Sequence, residues 1–110
     1  MTKNDAEKLV WMVDEVSDAG EELRDARIAE IETNERLARL ESEFILAGIE
    51  GKNQVERDAE LRRKTDTAHM EVVNAKIARI TAETAYSAAK RSLRIMELIY
   101  KVQNIDADTR

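Results

Sequence analysis

The sequence predicts an all-α protein. Two long, coiled-coil-like helices fold into an antiparallel hairpin, and two hairpins pair as a homodimeric four-helix bundle. Three observations lead there. Proline is absent, and two of the three glycines stand three residues apart at Gly48 and Gly51. Charged residues make up 37% of the chain and aromatic residues 4%, the balance of long exposed helices and not of a compact mixed fold. The second half carries small and apolar residues in alternating steps of three and four, the spacing of a helix–helix seam.

Helix 1 is expected over about residues 5–47. Asn4-Asp5-Ala6-Glu7 has the Asn-x-x-Glu pattern of a helix start. The apolar face is Leu9, Met12, Val13, Val16, Ala19, Leu23, Ile31, Leu37, Ala38, Phe44 and Ile45. Gly20 interrupts this face. It reads as a close helix contact within a continuous helix, the alternative being a kink with Asp18 capping the restart. A turn over 48–53 follows. Gly48 closes the helix in the left-handed conformation, with Ile49 packing back on Phe44. Gly51 permits the next turn, Asn53 caps helix 2, and Glu56 reaches back to that cap.

Helix 2 is expected as one element over about residues 54–104, the whole 1–110 span forming a single domain. Its seam is read as Ala75, Ala78, Ala82, Ala85, Ala89, Ser92, Met96 and Ile99, and a second apolar stripe lies beside it. Two stripes on one helix require more than one partner helix. Residues 1–31 hold nine acids and four bases, and residues 67–110 hold five acids and seven bases, so charge favours antiparallel pairing. A turn centred near Gly51 sets Gly20 near Ala82 and Leu9 near Leu93. Toward the termini both helices are apolar almost all round, which two helices cannot bury. Leu9, Val10, Trp11, Val13, Ile95, Leu98, Ile99 and Val102 are therefore expected at a homodimer interface. The turn-proximal half is charged: Arg27, Glu30, Asn34 and Glu41 fall on the expected inner face of helix 1, and with Arg62 and Arg63 they form the candidate surface for a further partner.

Catalytic chemistry finds little support. Without cysteine there is no disulfide, thiolate ligand or thiol nucleophile. No phosphate-binding glycine loop is present. His69 is the single histidine. Asp66-x-x-His69 has the i, i+3 spacing that di-iron bundles use with Glu, and Glu32 or Glu35 could face it, but the surroundings are charged. The expectation is no cofactor, no metal and no enzyme activity. Arg62-Arg63-Lys64 makes a basic spot, yet residues 32–66 hold nine acids against seven bases, which disfavours nucleic acid as a partner. The run Leu9-Val10-Trp11-Met12-Val13 is too short for a signal peptide or a membrane span, so a cytoplasmic location is expected.

At the turn, Gly51-Lys52-Asn53-x-x-Glu56-Arg57-x-Ala59-x-Leu61 follows a helix rich in Leu and Glu and precedes a long Ala-rich helix ending Leu93-Arg94-Ile95-Met96-Glu97-Leu98-Ile99. Over roughly residues 36–100 this resembles small helical proteins encoded by bacteriophages and prophages, usually of unassigned function and often found among early or recombination genes. The resemblance implies a phage origin and a helical fold, and it carries over no catalytic residue. The function expected is non-enzymatic: a phage-type protein that binds and modulates a host or phage protein, in the host cytoplasm. The alternatives are an accessory factor in phage recombination or replication that touches nucleic acid, and a metal-dependent bundle enzyme built on Asp66 and His69.

Overall fold

A computed structural model describes residues 2–109, with side chains through residue 105; Met1 and Arg110, the ends of the expected 1–110 span, lie outside the described residues. Three helices follow one another: α1 (Lys3–Ala47), α2 (Gln54–Lys64) and α3 (Asp66–Thr109). The described residues contain no strand. They group into two compact units, one of residues 1–25 with 80–110, the other of residues 26–79.

The start of α1 differs from the Asn4–Glu7 expectation. Thr2 and Asp5 satisfy each other: the Asp5 N–H donates to Thr2 Oγ1 at 3.2 Å, and the Thr2 N–H donates to Asp5 Oδ2 at 3.0 Å. This reciprocal pair is a capping box, and it starts the helix two residues earlier. Gly20 lies inside continuous α1, and a Cβ there would sit 3.7 Å from the Tyr86 ring.

The expected second helix is two. The break at Thr65 has a local cause. Thr65 Oγ1 donates to the Leu61 carbonyl at 2.9 Å, and the Thr65 N–H reaches the same oxygen at 3.0 Å. Thr84 makes the same side-chain bond, to the Ile80 carbonyl, inside continuous α3. What sets Thr65 apart is its backbone, which leaves the helical region at φ −107° and ψ 13° as the C-cap of α2. Thr65 is also the most buried side chain described, at 1% exposure. The sequence carried the signal: Arg62, Arg63 and Lys64 are cations suited to a helix C-terminus, and Asp66 is an acid suited to the next N-terminus.

In the unit of residues 26–79, the inward positions of α1 are Ala26, Glu30, Thr33, Leu37, Leu40, Glu41 and Phe44, and those that follow α2 are Thr65, Ala68, Val72, Ala75 and Arg79. Ala68 and Ala75 are buried, so the backbones approach closely. The contacts run in opposite senses along the chain: Glu30 with Arg79, Arg36 with Glu71 at 2.8 Å, Glu41 with His69 at 3.3 Å, and Phe44 beneath the Lys64 ammonium at 5.5 Å.

In the unit of residues 1–25 and 80–110, Leu9, Met12, Val16, Ala19 and Leu23 of α1 turn inward, as do Ala82, Tyr86, Ala89, Leu93, Met96 and Tyr100 of α3. Leu23 and Tyr100 are buried. Tyr100 OH donates to Asp5 Oδ1 at 3.3 Å, and the Lys90 ammonium stands 4.2 Å from the Tyr86 ring centroid.

Two expectations are corrected here. The inward line of α3 keeps Ala75, Ala82, Ala89 and Met96, but the positions between them are Arg79, Tyr86, Leu93 and Tyr100; Ala78, Ala85, Ser92 and Ile99 are exposed. Every second step was one residue off, because a run of alanines satisfies either three-then-four phase. The larger side chains set the phase by filling the seam. The register also shifts by about one turn: Gly20 meets Tyr86 and not Ala82. Beside the loop, Ile45 of α1, Ile49, and Gln54, Arg57 and Leu61 of α2 line a common hollow.

Candidate functional site

The turn is built on glycine geometry. Gly48 has φ +90°, and its N–H donates to the Ile45 carbonyl at 3.2 Å, the inner bond of a Schellman ending. Ile49 lines the hollow with Ile45 and Leu61, whereas Phe44 is covered by Lys64. Gly51 has φ +156°, and a Cβ there would lie 2.8 Å from the Arg57 backbone nitrogen. Asn53 Oδ1 accepts from the Glu56 N–H at 2.9 Å, and Glu56 Oε2 accepts from the Lys52 N–H at 2.7 Å. The loop and the start of α2 are thus closed by Gly48, Gly51, Asn53 and Glu56.

The polar line proposed as a partner surface is largely engaged within the chain. Glu30 sits in the seam against Arg79, each about a quarter exposed. Glu41 pairs with His69. The Asn34 amide donates to its own helix at the Glu30 carbonyl. Arg63 grips Glu60 through two hydrogen bonds of 2.6 and 3.1 Å, which hold the Glu60 carboxyl below its ordinary range. Arg27 and Arg62 are exposed. The period explains what hydrophobicity alone misplaced. Counting alternate steps of three and four from Leu9, through Met12, Val16, Ala19, Leu23 and Ala26, brings Glu30 inward and leaves Ile31 outside, at 59% exposure. Arg79 supplies the compensating charge, a pairing that the expected register did not bring together.

A charged pair within an apolar seam costs desolvation that its mutual attraction offsets only when both members are present. Glu30→Ala should therefore destabilise the protein by roughly 1.5–3 kcal/mol in urea titration. The double change Glu30→Leu with Arg79→Leu should recover most of that loss, while broadening the distribution of registers seen by NMR.

His69 faces Glu41 and not Glu32 or Glu35. Among the described residues no group of three or more His, Asp or Glu side chains is placed to hold a metal ion. Nor is any helix among them long and apolar enough to cross a membrane.

The expected interface residues divide. Leu9 turns inward. Val10, Trp11 and Val13 of α1 are 62%, 60% and 50% exposed, and Ile95, Leu98, Ile99 and Val102 of α3 are also exposed. These seven lie in the unit of residues 1–25 and 80–110. The unit of residues 26–79 carries another exposed apolar row, Met70, Val73 and Ile77, at the spacing of one helix face.

Tyr100 and Asp5 tie the chain ends of the first unit together. Burial raises the Tyr100 phenol above its ordinary value of 10.0, and the Asp5 carboxylate adds to the rise. Asp5 is held below its ordinary 3.8, chiefly by the Thr2 backbone N–H and hydroxyl. Asp5 therefore contributes stability at pH above about 4 that is lost as acid lowers the pH through its depressed value. Tyr100 contributes below pH 10 and loses its contribution as pH rises through its elevated value. In a Tyr86→Phe variant, where Tyr100 is the remaining tyrosine, phenolate absorbance should titrate above pH 10. Adding Asp5→Asn should lower that midpoint only in part, because burial is the larger cause. No family model, curated protein or solved structure matches this chain.

Proposed function

We propose that this chain is a non-enzymatic interaction protein. In this reading α1 folds back on α2 and α3 as an antiparallel hairpin, and two hairpins associate as a four-helix bundle. The observation that carries it is the exposed apolar set Val10, Trp11, Val13, Ile95, Leu98, Ile99 and Val102, gathered in one unit. Burying such side chains stabilises by roughly 1.5–3 kcal/mol each, and exposed apolar side chains gathered in one unit point to an association site.

A further protein partner would be recognised in the unit of residues 26–79. The exposed row Met70, Val73 and Ile77 suits an amphipathic helix from that partner better than the polar line, whose Glu30 and Glu41 are already paired. The nucleic-acid alternative draws on Arg62, Arg63 and Lys64, of which Arg63 is held by Glu60 and Lys64 covers Phe44. The turn motif's resemblance to phage and prophage proteins supports a setting in the cytoplasm of an infected host, where such a protein would bind and modulate a host or phage factor.

Association couples stability to concentration. A hundredfold increase in protein concentration should raise the thermal midpoint by about 6 °C for a dimer of this size, followed by circular dichroism. An unchanged midpoint would remove self-association from the reading.

A further inference from the structure

Resting on the self-association just proposed, a second seam on α3 specifies how the two copies meet. In the unit of residues 1–25 and 80–110, α1 occupies the inward line of α3. Beside that line run Ala85, Ala88, Ser92, Ile95, Ile99 and Val102, in steps of three, four, three, four and three. All six are exposed and none is charged, in a chain where 37% of residues carry charge. A helix with two seams is covered from two sides.

The line is graded in size. Its first half is small and its second half is large and branched. Its steps also read the same in both directions. Turning a second α3 end for end therefore sets Ala85 on Val102, Ala88 on Ile99 and Ser92 on Ile95, each small side chain against a large one. A parallel pairing would set alanine on alanine at one end, leaving gaps, and crowd the branched residues at the other. We propose that two copies of this chain pair antiparallel through this face of α3.

The charges agree. Ala85, Ala88 and Ser92 line an open groove of about 430 Å³ whose other wall is Glu15, Asp18 and Glu22 of α1. The incoming Ile95, Ile99 and Val102 of the second copy fill it. The same two-fold rotation carries Lys3 and Lys8 of the second copy to the levels of Glu22 and Asp18. The α1 segment of residues 1–25 holds eight acids and three bases, so an arrangement that spreads its few cations among the acids of the other copy is favoured over one that stacks acid on acid.

The chain has no cysteine, which makes a cross-linking test clean. Ala85→Cys and Val102→Cys are prepared separately, then mixed, allowed to exchange and oxidised. The mixture should yield a disulfide-linked dimer in about half of the chains, the share of mixed pairs under random exchange of a two-fold dimer. Neither variant alone should cross-link, because like positions are about 25 Å apart along the antiparallel pair. Cross-linking of either variant by itself would establish a parallel arrangement and overturn the proposal. Failure of the mixture to cross-link while sedimentation still gives a dimer would also overturn it, placing the contact elsewhere and leaving self-association standing. A monomer in sedimentation would overturn both.

Discussion

Replacing Gly48 and Gly51 together by alanine should destabilise the protein by roughly 2–4 kcal/mol and shift part of it to a larger, strand-exchanged species in which α1 continues into α2. The two positions contribute differently. At Gly48 the backbone has φ +90° with open space around it, so a methyl group meets only the intrinsic strain of that conformation, of order 1 kcal/mol. At Gly51 the added Cβ would stand 2.8 Å from the Arg57 nitrogen, inside any permitted contact. The first turn of α2 would have to move, at a cost toward the upper end of the 1–3 kcal/mol typical of strained backbone positions. Gly51→Ala alone should therefore be the more damaging single change. Alanine also favours helix over glycine by about 1 kcal/mol per residue, which is why the loss is expected to appear partly as a continuous helix. Urea titration and size-exclusion chromatography check both parts; an unchanged elution volume and midpoint would remove the turn from its role.

The largest effect on assembly is expected from Trp11→Glu combined with Leu98→Glu. Both side chains are more than half exposed within a single chain, so the isolated chain loses little packing. Both belong to the exposed apolar set assigned to self-association, so in the associated form each copy would carry two new carboxylates in or beside the contact. At roughly 1.5–3 kcal/mol of lost burial per site, before any cost of desolvating charge, dissociation should strengthen by at least about a thousandfold. Ile31→Glu, at an exposed position of the other unit, should leave assembly intact. Sedimentation of the two variants side by side separates a specific interface from a general effect of added charge.

Much of this was legible from the residues. The helical class followed from composition, and the turn from Gly48, Gly51 and Asn53, because left-handed glycines and side-chain caps act within a few residues. Gly20 read correctly as part of a continuous helix, since one glycine costs a long helix little. Longer-range features were less accessible. The alanines of α3 do not distinguish one seam phase from the other, and the phase was set by Tyr86, Leu93 and Tyr100, whose inward orientation depends on the facing helix. Glu30 already fell on the expected inner face of helix 1, but the expected register did not set Arg79 opposite it. The break at Thr65 was written locally, in the cations before it and the acid after it, but the continuous polar pattern of residues 54–66 masked it. For the interface residues, apolarity located the exposed cluster; Leu9, read both on the apolar face of helix 1 and at the interface, turns inward.

The central claim is that one face of this chain is completed by a second copy. Sedimentation equilibrium of the unmodified protein at about ten micromolar, a concentration at which a submicromolar dimer is almost fully formed, tests it most directly. The expected mass is twice the 12.6 kDa of the chain, with the dimer lost in the Trp11→Glu, Leu98→Glu variant. A folded species of 12.6 kDa with the same thermal midpoint at every concentration would contradict the account.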